Sequence, residues 1–238
     1  MKTLFSPVLL VLLLISACSD TGNKDNALTD SEEAQGWKLL FDGKTLENWH
    51  AYNHGKQKSE WKVIDGTIYC DPASLDRSGD LTSDQEYENY DLVFDWKLPQ
   101  QGNSGVFINV QEVDTITAAW FTGPEYQLLD SAHKDYQLPL KRSGCLYGIS
   151  PLKNAVEING TGLWNHSRIL QNNGLVKFFL NEVQTAEMDF NSGEWRSLVA
   201  NSGFKVFPEF GKRTKGRIVL QNWATGVSFK NIKILELP

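Results

Sequence analysis

From about residue 60 to the C-terminus, apolar and polar residues alternate in short runs broken by Gly, Asn, Asp or Pro, which is the period of a β-strand. The clearest run is Tyr90 to Pro99. It places Leu92, Phe94, Trp96 and Leu98 on one face and Asp91, Asp95 and Lys97 on the other. A second run, Gly105 to Val110, follows a polar QQGNS turn, and Leu175 to Met188 reads as a hairpin turning near Asn181-Glu182. Trp61 to Ile64 and Thr67 to Cys70 flank Asp65-Gly66, a two-residue hairpin signal because both turn positions need positive φ. Gly216 to Gln221 and Val227 to Leu235 close the chain as two further strands. No segment sustains a helical stripe for three turns; Gly193 to Ser202 is the best helical candidate and is short. Many short strands separated by turn residues predict an all-β fold, a single β-sandwich or jelly-roll domain over residues 36–238.

The first 35 residues follow neither pattern. Lys2 precedes an apolar run from Pro7 to Ile15, too short for the roughly 20 residues that span a bilayer but suited to an export signal. The string Ile15-Ser16-Ala17-Cys18 resembles the bacterial lipobox. That resemblance implies removal of residues 1–17, a lipid on Cys18, and a cell-envelope location held to a membrane by that anchor. Ser19 after the cysteine reads as an outer-membrane address, with the face left open. Residues 18–35 are polar and poor in aromatics, which predicts a flexible tether.

Charge narrows the partners. The net charge is −6, and −7 once Lys2 leaves with the signal, which argues against nucleic acid because phosphate binding needs a basic face. Cys70 and Cys145, the cysteines besides Cys18, either pair or stay as buried thiols, and neither spacing suggests a metal site. Eight Trp, seven Tyr and twelve Phe are a heavy aromatic load; most are expected in the core, and a surplus of Trp is also what a sugar-stacking surface needs.

Six strings in order carry a family resemblance: Leu40 to Trp49 (LFDGKTLENW), Asn103 to Phe107 (NSGVF), Gly123 to Asp130 (GPEYQLLD) with His133, Leu163 to Ile169 (LWNHSRI), Gly216 to Trp223 (GRIVLQNW) and Phe229 to Ile234 (FKNIKI). Together they resemble the 3-keto-disaccharide hydrolase domain family over Trp37 to Leu237. The resemblance implies a concanavalin-like jelly roll, related in shape to laminarinase-type glycosidases and lectins. It also implies cleavage of glycosides whose sugar carries a ketone at C3. Asn109 stands where the family commonly has Arg, and Asn222-Trp223 where a His is often near, so both positions are expected to face substrate.

On a strand from Glu125, that residue and Gln127 share a face about 7 Å apart. A retaining glycosidase needs two carboxyl groups about 5–5.5 Å apart, and here Gln127 replaces the second acid. A 3-keto sugar does not need the pair. The ketone acidifies the C2 proton, one base removes it, and the oxygen on C1 leaves by β-elimination. Glu125 and His133 are the candidates for base and acid, in either order. Asn103, Gln127, Arg168 and Gln221 are candidate hydrogen-bonding partners of the substrate. Asp130 joins them, unless it caps a turn or holds the His133 tautomer; for Arg168 the alternative is a salt bridge to a neighbouring strand. Trp164, with Trp120, Tyr126 and Trp223, is a candidate stacking ring, about half of these four being core instead. His50 and His54 receive no role. Many concanavalin-like folds hold structural calcium, for which Asp42, Asp65 or Asp130 would supply oxygens. With no EF-hand-like run or two-His motif, no cofactor is predicted. The competing expectation is a non-catalytic, lectin-like carbohydrate-binding module at the cell surface.

Overall fold

The turn residues act where the alternation stops. In the computed structural model, which describes residues 24–76, 79–223 and 226–238, Asp65 and Gly66 take φ of 48° and 70°, and Asn181 and Glu182 take 44° and 68°. Each pair closes a two-residue hairpin. The strands are β1 (Lys38–Leu39), β2 (Trp49–Ala51), β3 (Trp61–Ile64), β4 (Thr67–Cys70), β5 (Leu81–Tyr87), β6 (Tyr90–Lys97) and β7 (Asn103–Val110). They continue with β8 (Glu125–Leu129), β9 (Asn165–Asn172), β10 (Leu175–Leu180), β11 (Val183–Asp189), β12 (Gly216–Leu220) and β13 (Ser228–Glu236). Helix α1 spans Asp30–Gln35 and α2 spans Gly193–Asn201.

Two antiparallel sheets result. One runs β11-β10-β9-β6-β13-β4-β3 with β1 beside β13; the other runs β2-β5-β12-β7-β8. Alternation supplies the layer between them: Leu92, Phe94 and Trp96 of β6 meet Val106, Ile108, Tyr126 and Leu220 in one buried cluster. Phe94 and Phe178 both set ring edges against Tyr126, at 5.8 and 4.9 Å between centroids. Truncating such a ring to Ala costs about 3–5 kcal/mol. The sandwich matches the all-β jelly roll expected, and α2 falls where the short helix was expected. Cys70 and Cys145 are both buried and are not paired with each other in a disulfide.

The tether expectation needs correction. Cys18 and residues up to 23 lie outside the described residues, but Asp25 to Gln35 is docked on the sandwich. Asn26 and Asn231 exchange backbone N–H to side-chain carbonyl bonds of 2.6 and 2.8 Å. The Asn26 amide also donates to the Gly66 carbonyl. Thr29 and Glu32 form a capping box on α1, and Glu32 accepts from the buried Lys233 ammonium at 2.7 Å. Composition alone misread this segment because it is held by polar bonds rather than by apolar burial.

Candidate active site

On the face of the second sheet turned away from the core, the alternation brings a different set of side chains together. Tyr126 and Leu128 of β8 point into the core, so Glu125 and Gln127 point out. Gln127 lies opposite Gly105 on β7. A Cβ on Gly105 would sit 2.0 Å from Glu125 Oε1, so the glycine is what lets this carboxyl fold flat across the neighbouring strand. The Gln127 amide donates to Asn103 Oδ1 at 2.9 Å. Gln221, just past β12, is pinned by its backbone N–H to the Gly105 carbonyl at 2.9 Å. Glu125, Gln127, Asn103 and Gln221 thus floor a hollow of about 530 Å³.

Aromatic and charged residues wall it. Trp120 sits edge-on to Phe121 and Phe207, and Trp120 and Trp223 are 39% and 58% exposed. Tyr147, Phe204, His133, Lys134, Asp135 and Lys141 complete the rim. Lys141 and Asp135 form an ion pair at 2.8 Å.

The floor carries buried polar atoms that its own side chains leave unbonded. Among the described residues, Glu125 Oε1 and Gln221 Oε1 are buried acceptors with no hydrogen-bond partner. Each such group costs about 1–3 kcal/mol, and hydroxyl donors on a ligand would remove that penalty. Burial, and secondarily the Asp80 carboxyl, hold Glu125 well above the ordinary carboxylate range. Asp80 is itself pushed up to about 7 by burial and by Glu60, against the Asn222 N–H that favours its charged form. Perturbed carboxyls in a concave pocket are the usual mark of a functional site. His133 Nδ1 accepts the Asp135 backbone N–H at 3.1 Å. The proton of the neutral ring is therefore on Nε2, which makes this histidine a donor.

Of the substrate-binding residues expected from sequence, the hollow gathers Asn103, Gln127 and Gln221, alongside Glu125 and His133. Three others lie elsewhere. Asp130 is a turn cap: its carboxylate accepts from the backbone of Gln101 and Ala132 and from the Thr161 hydroxyl, not from the His133 ring. Arg168 lies on β9 of the other sheet and makes a bidentate pair with Asp91, 2.6 Å in both bonds. Trp164 is covered by the ammonium groups of Lys97 and Lys230, each 4.7 Å from its ring centre. Tyr126 is core, its hydroxyl bonded to Ser167. Asn109 is buried and bridges the sheets to Gln171 at 2.7 Å, so it does not face substrate. Asn222 lines no wall of the hollow; its amide is held by Glu60 and its N–H by Asp80. Asp42 caps the backbone of Lys44 and Thr45, and among the described residues no three His, Cys, Asp or Glu converge as a metal would require. Sequence reasoning missed Asp80, Lys141, Tyr147 and Phe204. Only Asp80 had a usable signal, a carboxylate just before an apolar strand start.

Residues 36–235 match the family described as the 3-keto-alpha-glucoside-1,2-lyase-like domain. A protein of Bacteroides thetaiotaomicron named 3-keto-disaccharide hydrolase is 30% identical over 234 residues, 86% of this chain and 80% of its own. A crystal structure described as a glycosyl hydrolase of Parabacteroides distasonis superposes with a TM-score of 0.81 at 33% identity, covering 90% of this chain and 100% of that one. Another from the same organism gives 0.63 at 26%, covering 84% and 99%. The match across nearly the whole sandwich, hollow included, places this chain in the 3-keto-alpha-glucoside-1,2-lyase-like domain family.

Proposed function

We propose that the protein cleaves 3-keto-glycosides by C2 proton abstraction and β-elimination. The observation that carries this reading is the floor: one buried carboxyl, Glu125, lying over Gly105 with its Oε1 unbonded among the described residues, surrounded by the side-chain amides of Asn103, Gln127 and Gln221. A single base among neutral donors suits removal of an acidified C–H, whereas a retaining glycosidase needs a second carboxylate about 5–5.5 Å away. The name of the Bacteroides relative and the family description both point to 3-keto sugars.

The His133 tautomer orders the two roles. With Nε2 protonated, His133 is the acid and Glu125 the base. The C2–H bond breaks, its proton passing to Glu125, and the electron pair moves into the C2–C3 enolate while amides stabilise the O3 charge. The C1–O bond then breaks, its electrons leaving with the glycosidic oxygen, which takes the Nε2 proton of His133. The product is a 2-hydroxyglycal that keeps the C3 ketone; water adding across C1–C2 would make the net reaction hydrolysis. Glu125→Gln should abolish aglycone release from a 3-keto-glucoside, and His133→Ala should slow substrates with poor leaving groups most. If Glu125→Gln turned over like the wild type, the assignment would fall. A shallow lectin-like surface would not need a buried carboxyl and a histidine donor lining one hollow, and that favours catalysis over binding alone. We place this enzyme at the cell envelope, anchored through Cys18, on the lipobox resemblance.

A further inference from the structure

Docking of the segment before β1 shortens the leash between Cys18 and the sandwich. Cys18 precedes Gln35 by seventeen residues, and a free leash of that length reaches about 60 Å when extended. In the structure Lys230 pairs with Asp25 at 2.7 Å, and the Asn231 amide donates to the same carboxylate at 3.0 Å. Asn26 and Glu32 are held in turn by Asn231 and Lys233. Cys18 precedes Asp25 by seven residues, which reach about 25 Å at most. The attachment also has a side. Lys230 of β13 lies opposite Asp95 of β6, and the adjacent Phe229 and Phe94 point into the core. Lys230 and Asp25 therefore lie on the outer face of the larger sheet, and the Glu125 hollow on the outer face of the other. A domain of about 200 residues is roughly 40 Å across, so the path round its edge from one outer face to the other is about 60 Å. A free leash covers that path, and the docked one does not.

We infer that the outer face of the larger sheet, around Ile64, Leu163 and Trp164, seats on the headgroups of the membrane that holds the Cys18 lipid, and that the docked segment is the clamp keeping the Glu125 hollow turned away from it. The inference rests on the lipid-anchor reading and not on the chemistry proposed for Glu125. The surface beside Asp25 has the make-up of a membrane interface. Ile64 and Leu163 are 44% and 60% exposed, and Lys97 and Lys230 lay their ammonium groups over the Trp164 ring. Exposed aliphatic groups, a tryptophan and long lysine stems are the side chains that settle at headgroup depth, with the apolar part down and the charge in water. Asp25 and Asp65 line the same shallow hollow as Lys97 and Lys230, so positive and negative charges balance there and the surface asks for no anionic lipid. Substrate then reaches Glu125 from the aqueous side, with no bilayer across the mouth of the hollow.

The test is lysine acylation by a water-soluble reagent, read residue by residue by mass spectrometry. It compares the membrane-extracted lipoprotein in nanodiscs of zwitterionic phospholipid with Cys18→Ser in solution. Lys62 and Lys97, on β3 and β6 of the larger sheet, should react at least fivefold more slowly in the discs. Lys134, on the rim of the Glu125 hollow, and Lys205, beside Phe204, should stay within twofold of their solution rates. Equal changes at all four, or slowing confined to Lys134 and Lys205, overturn the seating. In Asn26→Ala/Glu32→Ala the segment is released, and the four changes should converge to within twofold; a pattern that persists overturns the clamp. If the mass of the extracted protein shows no lipid on Cys18, the anchor reading fails by itself. A phospholipid maleimide coupled to the Cys18 thiol of the chain from residue 18 onward, with Cys70 and Cys145 buried, then supplies the anchor, and the same footprint decides the orientation.

Discussion

Gly105→Ala isolates the geometry of the Glu125 carboxyl from the fold. The added methyl would lie 2.0 Å from Glu125 Oε1 and 2.7 Å from its Cδ. Ordinary contact begins at 3.4 Å, so the carboxyl must retreat by about 1.4 Å. A misplacement of about 1 Å in a reacting group typically costs on the order of 100-fold in rate, which sets the expected loss in kcat. Stability should move the other way or not at all. Gly105 has no positive φ, and alanine is favoured over glycine inside a strand by about 0.5–1 kcal/mol. Shifting a carboxyl whose buried Oε1 is unbonded among the described residues also relieves a desolvation penalty. At about 2–4 °C per kcal/mol for a domain of this size, Tm should stay within a few degrees of wild type. The assay pairs aglycone release from a 3-keto-glucoside with thermal unfolding followed by circular dichroism. Full activity would refute the placement of Glu125 as the reacting group, and a collapse of Tm would refute the claim that Gly105 serves the site rather than the sheet.

Other outcomes follow from the same geometry. Because burial raises the Glu125 carboxyl, its contribution to stability is complete below the ordinary carboxylate range and is lost as pH rises through the raised value. Glu125→Gln should therefore unfold at a higher temperature than wild type, by a margin that widens with pH; a constant margin from pH 4 to 9 would contradict this. Asp80→Asn keeps an acceptor for the Asn222 N–H but removes a charge that raises Glu125, so the acid limb of kcat/KM should move to lower pH, and an unmoved limb would show that the two carboxyls are not coupled. Arg168→Met should leave kcat/KM within about twofold while costing about 1–3 kcal/mol of stability, because the buried Asp91 carboxylate loses both its bonds; a large loss of activity would return Arg168 to the site. Cys18→Ser should shift the protein from the membrane to the soluble fraction, and unchanged fractionation would end the lipid-anchor reading.

Strand positions were legible in the sequence wherever clean alternation was bounded by turn residues or proline, as in β6 and in the β3–β4 hairpin. The hollow was legible only in part. Glu125, Gln127, Asn103 and Gln221 are neighbours through strand pairing, so their alternation parity pointed to a shared face. Arg168 obeys the same parity but belongs to the other sheet, and sheet membership depends on long-range pairing that a local pattern does not encode. Asp130 and Trp164 show the complementary failure: their polar and aromatic character was satisfied locally, by a turn and by two lysines. The Asp25 to Gln35 segment was misread because a reciprocal Asn26–Asn231 pair leaves no trace in composition. Lys141, Tyr147 and Phe204 reach the rim from irregular segments, where no periodicity exists to place them.

The central claim, that Glu125 takes a proton from C2, is tested most directly by a 3-keto-glycoside carrying deuterium at C2. Proton abstraction predicts a primary isotope effect on kcat/KM and loss of the label from the released sugar faster than free 3-keto-sugar exchanges it, both absent with Glu125→Gln. Product that retains deuterium at C2 at the full wild-type rate would mean direct displacement at C1 and would contradict the account.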